Sequence, residues 1–508
     1  MTLLAGASAL ARSRAHGPRL AMLAALASGS LLACAFAPLN WWPLAILCPA
    51  VLMGLWHGAT PRAAAKLGFW FNAGTFAAGT YWLYTSLHTF GEAPIWIAFA
   101  LMLALVAIMG AYQALLGWCI ARFLPRAGAL ATLVGIPAAW LLMEWWRGWF
   151  LTGFSWLSLG YSQTDTWLAG FAPVAGVYGV SALLLLSAGA IVTLVRGSRA
   201  ARIAATLVLV LPWLIGFALV KVDWTHAKGQ PVGVAVIQGA VPQDQKWLDA
   251  NHDTTLKLYR DLTAKALGTP LIVWPESAPP DLANNLSDYL SAEFTTTQEH
   301  GSALILGVVR AEGELYFNSV LALGDQDLLW YNKSHLVPFA EFFPVPGFVR
   351  SWLRLANLPY EDFTRGAALQ PPLPAAGLKL AVTICYEDAY GSAQLPLLGE
   401  ADALVNVTND AWFGHSSARH QHFQIARMRA IEAQRYLVRA ANDGISAVVG
   451  PHGEVIARAP EFTPYVLRAA ITARSGLPPY AYVGNWPVLL LALAGVAAAA
   501  AMRHRART

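Results

Sequence analysis

Two regimes of hydrophobic patterning divide the chain. Residues of roughly 20–222 and 484–502 are almost uncharged, whereas about 228–475 alternates short β-rich runs with polar helical stretches. In the first regime, apolar windows of about 20 residues, the length that crosses a bilayer as a helix, predict seven spans before the polar region and one after it. They fall near 20–38, 41–57, 67–87, 94–118, 128–148, 169–194, 203–221 and 486–502, the second being short. In the second regime, Val232–Ile237, Pro270–Trp274, Ala303–Val309, Asn318–Leu323, Leu380–Ile384, Ala403–Val407 and Ile445–Val449 read as strands. Asp249–Ala266, Asp281–His300 and Arg419–Ala440 read as helices. Continuous apolar strands separated by helices predict a sheet covered on its faces, hence a layered α/β domain. The resulting division is 1–227 for a membrane region, 228–475 for the α/β domain and 476–508 for a last span and tail.

Composition agrees with the pattern. The chain has 508 residues, of which 56% are hydrophobic and only 12% charged; ordinary soluble domains are about one quarter charged. The basic residues sit on alternate connections: Arg12, Arg14 and Arg19; Arg62 and Lys66; Arg122 and Arg126; Arg196, Arg199 and Arg202; Arg503, Arg505 and Arg507. The intervening connections (Asn40 to Trp42, His88 to Ala93, Ser155 to Trp167) carry almost none. That alternation predicts two cytoplasmic termini, with the α/β domain on the far side of the membrane. The net charge of +5 is mostly this topological signal and does not argue for nucleic acid. Leu31-Leu32-Ala33-Cys34 looks like a lipoprotein-processing box, but an apolar span follows it at once, so an uncleaved first span is expected.

Cys385 is the only cysteine of the polar region; Cys34, Cys48 and Cys119 fall in or at the ends of predicted spans. It closes the apolar run Leu380–Ile384. Glu276 closes Leu271–Pro275, and Lys333 follows Leu328–Asn332. A thiol, a carboxylate and an ammonium, each just past a candidate strand, make a nucleophilic site plausible. A thiol at neutral pH needs a base or an activating charge. Glu276, walled by apolar Trp274 and Pro275, is the natural base, and Lys333 would stabilise a thiolate and then an oxyanion, together with the backbone N–H after Cys385. Each residue taken alone has a plainer reading: a buried thiol, a helix-capping carboxylate, a solvated lysine. No metal-ligand cluster or phosphate-binding glycine motif is present, and no cofactor is implied; His420 and His422, two apart on a predicted helix, do not share a face. The arginines at 427, 429, 435 and 439 read as the solvated face of the helix 419–440. Glu144 and Arg147, at the end of span five, are open between function and simple pairing.

Trp274-Pro275-Glu276-Ser277, Asn332-Lys333-Ser334-His335 through Glu341, and Ile384-Cys385-Tyr386-Glu387 together resemble the three signature blocks of the carbon–nitrogen hydrolase (nitrilase) superfamily. With the membrane frame, and with Asn409 to Gly414 and Gly484 to Pro487, the whole chain resembles the apolipoprotein N-acyltransferase family of bacterial envelopes. The resemblance implies a nitrilase-like αββα sandwich outside the cytoplasm, joined to a membrane bundle of about eight helices in the inner membrane. It assigns a triad to Glu276, Lys333 and Cys385, supporting roles to Glu341, Tyr386 and Glu387, and substrate contacts to Trp247 and Trp412. The aromatic stretch 342–355, with Phe343 and Trp352, suits an interfacial arm that brings a lipid ester to the thiol. The implied reaction moves an acyl chain from a phospholipid, phosphatidylethanolamine by resemblance, through a Cys385 thioester to the α-amine of a diacylglyceryl-cysteine lipoprotein. The alternatives are a membrane-tethered amidase or nitrilase using water, and a non-catalytic lipid-binding or transport scaffold.

Overall fold

In the computed structural model the described residues are 17–125, 128–323, 328–338, 340–342 and 362–505. They form two compact units: residues up to 222 with 415–424 and 482 onward, and residues 223–414 with 425–481.

The first unit is helical. Helices Gly17–Leu32, Leu44–Trp56, Pro61–Gly79, Ile95–Phe123, Ile136–Arg147, Ala172–Arg196, Arg199–Leu219 and Trp486–Arg505 fall on the eight apolar windows. Among the described residues, five helical stretches are long and apolar enough to cross a membrane: Gly17–Ala35, Ile95–Phe123, Trp167–Arg196, Arg199–Leu219 and Trp486–His504. Helix starts follow local chemistry. Thr60 accepts from Ala63 N at 3.3 Å with Pro61 next to it, and Ser198 accepts from Ala201 N at 3.3 Å. Helices that share an apolar solvent need close backbone approach rather than hydrophobic contrast. Gly29, Gly68 and Gly117 supply it: a Cβ on any of them would strike the backbone of Phe71, Gln113 or Ala64 respectively. Asn72 then donates to Met109 O at 2.7 Å, binding two of these helices through a buried amide. Glu144 and Arg147 are both buried. Arg147 donates to Phe154 O at 2.6 Å and Trp156 O at 2.8 Å, while Glu144 accepts from Ser181 Oγ at 2.5 Å and Leu159 N at 3.3 Å. Their partners belong to the irregular segment 154–159 and to the helix Ala172–Arg196, so together they fasten non-helical backbone inside the helical unit.

Among the described residues the second unit holds twelve strands in two six-stranded sheets. They are β1 (His226–Gln238), β2 (Leu271–Val273), β3 (Ala303–Glu312), β4 (Leu315–Leu323), β5 (Leu328–Asn332), β6 (Leu373–Ala375), β7 (Leu378–Ile384), β8 (Ala403–Thr408), β9 (Leu437–Ala441), β10 (Ala447–Val449), β11 (Val455–Arg458) and β12 (Tyr465–Ser475). The sheet orders are β12-β1-β2-β3-β4-β5 and β11-β10-β9-β8-β7-β6. Alternation along a strand sorts side chains between two cores. Val234 and Val236 of β1 join Val273, Ile305, Leu380, Val382, Val405 and Val438 in the core between the sheets, whereas Ala235 and Ile237 meet Tyr259, Leu262, Leu290 and Phe294 of the helices His252–Ala266 and Ser287–Glu299. The layered α/β architecture expected from the sequence is therefore present.

The helix expected over Asp281–His300 starts only at Ser287, and another expected element is wrong in its second half. The helix predicted over 419–440 runs Ala418–Ala433, and the chain then forms strand β9. Arg435 lies in the turn and Arg439 on the strand, and Arg429, Arg435 and Arg439 are all fully buried rather than solvated. Buried main-chain and carboxylate acceptors explain it: Arg435 donates to Ala401 O, Leu398 O and Gly476 O, Arg429 pairs with Glu432 at 2.9 Å, and Arg439 pairs with two aspartates.

Candidate active site

Strand ends deliver the three candidate residues. β2 stops at Val273, and the turn that follows carries Glu276, with Ser277 in a left-handed conformation (φ 46°). Gly307 of β3 makes room for that turn: a Cβ there would lie 2.6 Å from Glu276 Cα and 2.5 Å from Pro275 O. Lys333 follows β5, its N–H donating to Asn318 O at 2.8 Å. Cys385 follows β7 and opens a short turn, Cys385–Ala389, with its own backbone left-handed (φ 52°). A non-glycine residue held there is strained, and such strain persists only where the surroundings over-determine it.

Lys333 is fully buried and sits between two carboxylates, with Nζ 2.8 Å from Glu341 Oε1 and 3.4 Å from Glu276 Oε1. Asn318 of β4 donates to both, at 2.7 Å to Glu276 and 3.0 Å to Glu341. Burial alone would lower the ammonium's pKa, but Glu341, then Glu276 and Cys385, outweigh it and hold Lys333 above the ordinary lysine value. Cys385 goes the other way from an activated thiol. Burial pushes its pKa well above the usual range, Glu276 pushes it further, Lys333 opposes them, and Asp410 adds to the rise against a hydrogen bond shared with Thr408. The thiol is therefore protonated at neutral pH, and a base must remove its proton as it reacts.

Glu387 ties the cysteine turn to the lysine block. Its Oε2 accepts from Ile384 N at 2.8 Å and Tyr331 Oη at 2.9 Å, and its Oε1 from Ser334 N at 2.6 Å and His335 N at 3.0 Å. Burial raises its pKa, offset in part by those backbone donors. Tyr386 is buried next to the rings of His335 and Tyr390. Glu276, Lys333, Glu341, Cys385 and Glu387 thus converge. Trp247 and Trp412 are exposed at the surface of the same unit; Phe343, Trp352 and most of the aromatic stretch lie outside the described residues. Two polar residues of the site gave no signal in the sequence. Asn318 looked like an ordinary strand position, and Lys246, beside Trp247, is wholly buried with Nζ 3.3 Å from Glu276 O. Burial brings its pKa down to about 8 against the pull of Glu276. Among the described residues no three His, Cys, Asp or Glu side chains converge as a metal site.

Two six-stranded sheets packed face to face form a domain with the carbon–nitrogen hydrolase fold, and residues 233–476 match the carbon-nitrogen hydrolase family model. Solved structures similar to the chain include the NitFhit protein of C. elegans (21% identity over 49% of this chain and 62% of that one, TM-score 0.36) and a CN-hydrolase superfamily protein from Xanthomonas campestris (19% over 52% and 97%, TM-score 0.36). Residues 28–190 match the apolipoprotein N-acyltransferase N-terminal domain. Curated apolipoprotein N-acyltransferases of Methylococcus capsulatus and Pseudomonas aeruginosa are each 40% identical, over 96% and 93% of this chain and 97% and 94% of theirs. The chain belongs to the apolipoprotein N-acyltransferase family.

Proposed function

We propose that the chain is an acyltransferase of lipoprotein maturation that carries the acyl group on Cys385. The observation that carries this reading is the placement of buried Lys333 between Glu276 and Glu341, at strand ends of the same unit that delivers Cys385. Cys385 Sγ attacks the ester carbonyl carbon of a phospholipid while Glu276 takes the thiol proton. The tetrahedral oxyanion is met by the Lys333 ammonium and the Tyr386 backbone N–H. Collapse breaks the C–O bond, Glu276 returns the proton to the departing lysophospholipid, and a thioester remains. The free α-amine of a diacylglyceryl-cysteine lipoprotein then attacks the thioester, Glu276 accepts the amine proton, and collapse to the amide expels Cys385 as a thiolate that is reprotonated. Glu341 and Asn318 hold Lys333 and Glu276 in register; Glu387 holds the turn. Phosphatidylethanolamine is the donor in this reading, and Trp247, Trp412, Phe343 and Trp352 contact substrate.

The membrane frame belongs to the same proposal: eight spans in the inner membrane, residues 228–475 as the catalytic domain in the periplasm, and both termini in the cytoplasm. The alternating clusters of basic residues support it. Mass spectrometry of the full chain after incubation with a defined phospholipid tests the covalent step. One acyl chain on the Cys385 peptide, absent in Cys385→Ala, is the expected result; a Cys385 that stays unmodified with donor present and no amine acceptor contradicts the thioester.

A further inference from the structure

Beneath the nucleophile's turn lies a charged network that the mechanism above does not use. Parallel pairing of β7, β8 and β9 puts Thr383, Asn406 and Arg439 in one row across the sheet. The side chains bond along that row: Asn406 Nδ2 donates to Thr383 Oγ1 at 3.0 Å, and Arg439 Nη1 donates to Asn406 Oδ1. From there the row reaches the turn itself, because Asn406 Nδ2 also donates to Cys385 O at 3.3 Å. Arg439 further holds Asp388, inside the turn, at 3.2 Å, and Asp410, at the start of the next connection, at 2.9 Å. Thr408 Oγ1 donates to Asp410 Oδ1 at 3.1 Å. Arg439 and both aspartates are wholly buried.

We propose that Arg439 is a positioning residue for the acyl transfer: by gripping Asp388, Asn406 and Asp410 at once, it locks Cys385 in its left-handed turn and offsets the charges of those two aspartates. The inference rests on reading Cys385 as the nucleophile. Three facts carry it. A strained backbone needs contacts that fix it from more than one side, and Arg439 reaches the turn both through Asn406 and through Asp388. A guanidinium is suited to the task because its planar fork serves several acceptors in fixed directions, which an ammonium cannot do. The charges matter as well as the geometry. Glu276, Lys333 and Asp410 all bear electrostatically on Cys385, so one cation and two anions act on the developing thiolate, and Arg439, 2.9 Å from Asp410, is the cation that offsets the second anion.

The test uses the full-length protein in detergent, with the pH dependence of Cys385 alkylation by iodoacetamide read on the Cys385 peptide, and with the rate of acyl-adduct formation measured against phospholipid concentration. Arg439→Lys should raise the alkylation midpoint by about one pH unit and slow adduct formation at saturating donor about tenfold. The half-saturating donor concentration should stay within about twofold of the parent, a split that separates positioning from binding. Asp410→Asn should move the midpoint down, because a carboxylate that bears on the thiol is gone. Arg439→Lys with the parent midpoint and rate overturns the proposal, provided it melts like the parent. Should Arg439→Lys fail to fold, Asp410→Asn decides: a lowered midpoint supports the proposal, and an unmoved or raised one overturns it. Absence of any acyl adduct on the parent protein would overturn the nucleophile reading and this role with it, whereas an adduct on the parent that Arg439→Lys forms at the same rate overturns this proposal alone.

Discussion

Lys333 serves two carboxylates at once, and the thiol it acts on is harder, not easier, to ionise than an ordinary cysteine. In the proposed mechanism that combination makes Glu276 the decisive group, and it yields a test in which two readouts move apart. Glu276→Gln should slow formation of the acyl adduct by about 10²–10⁴-fold, the usual worth of a general base. The same change should ease alkylation of Cys385 at a given pH, since Glu276 is one of the charges that hold the thiol proton on. Rates that fall together would contradict the role given to Glu276. Lys246 gives a second prediction. Its pKa in the folded chain is about 8, below the ordinary lysine value, so the unfolded chain binds more protons between about pH 8 and 10.4. The cost of burying its charge is fully present below pH 8 and is relieved as pH rises through that window. The parent protein's melting temperature should therefore gain on that of Lys246→Met between pH 8 and 10; parallel melting curves across the window would refute a buried, destabilised ammonium. The strand-end positions of Glu276, Lys333 and Cys385 were legible in the sequence because each ends an apolar run. Asn318, Lys246 and Arg439 were not, because a buried asparagine, lysine or arginine carries the same letter as a solvated one, and only folding reveals which carbonyls and carboxylates meet it.

At the level of elements, the strands with continuous apolar runs, such as β7 and β8, could be read directly, since a strand buried on both faces leaves that pattern. The end of the helix Ala418–Ala433 could not. The helical pattern runs on into Leu437–Ala441 without a glycine or proline to stop it, and β9 forms because Val438 and Ala440 fill the core between the sheets. Gly307 shows a different kind of blindness. It looks like an interruption of β3, yet the backbone bearing Glu276 crosses directly over it. Gly307→Ala should lower the melting temperature, because the backbone of residues 275–277 must shift to admit the Cβ. It should cut adduct formation by about 10²-fold, the scale of a misplacement of about an ångström in a catalytic group. Parent-like activity would show that the turn at 275–277 tolerates displacement.

For the molecule as a whole, hydropathy located the helices well, because the helical windows and the apolar windows coincide. Their number as membrane spans and their direction rest on the basic clusters, and these give a labelling prediction. With the chain expressed in a bacterium having two membranes, Lys265→Cys, on the exposed side of its helix, should react with a membrane-impermeant maleimide in intact spheroplasts. Arg199→Cys, at the start of the helix Arg199–Leu219, should react only after permeabilisation. The reverse pattern would invert the orientation. The central claim concerns the acyl group's itinerary, and a chase experiment follows it most directly. Protein loaded from a defined phospholipid, freed of excess donor and then given a diacylglyceryl-cysteine peptide with a free α-amine should lose the acyl chain from Cys385 as the peptide gains one amide-linked chain. Persistence of the adduct in the presence of the peptide, or its loss as free fatty acid whether or not the amine is supplied, would contradict it.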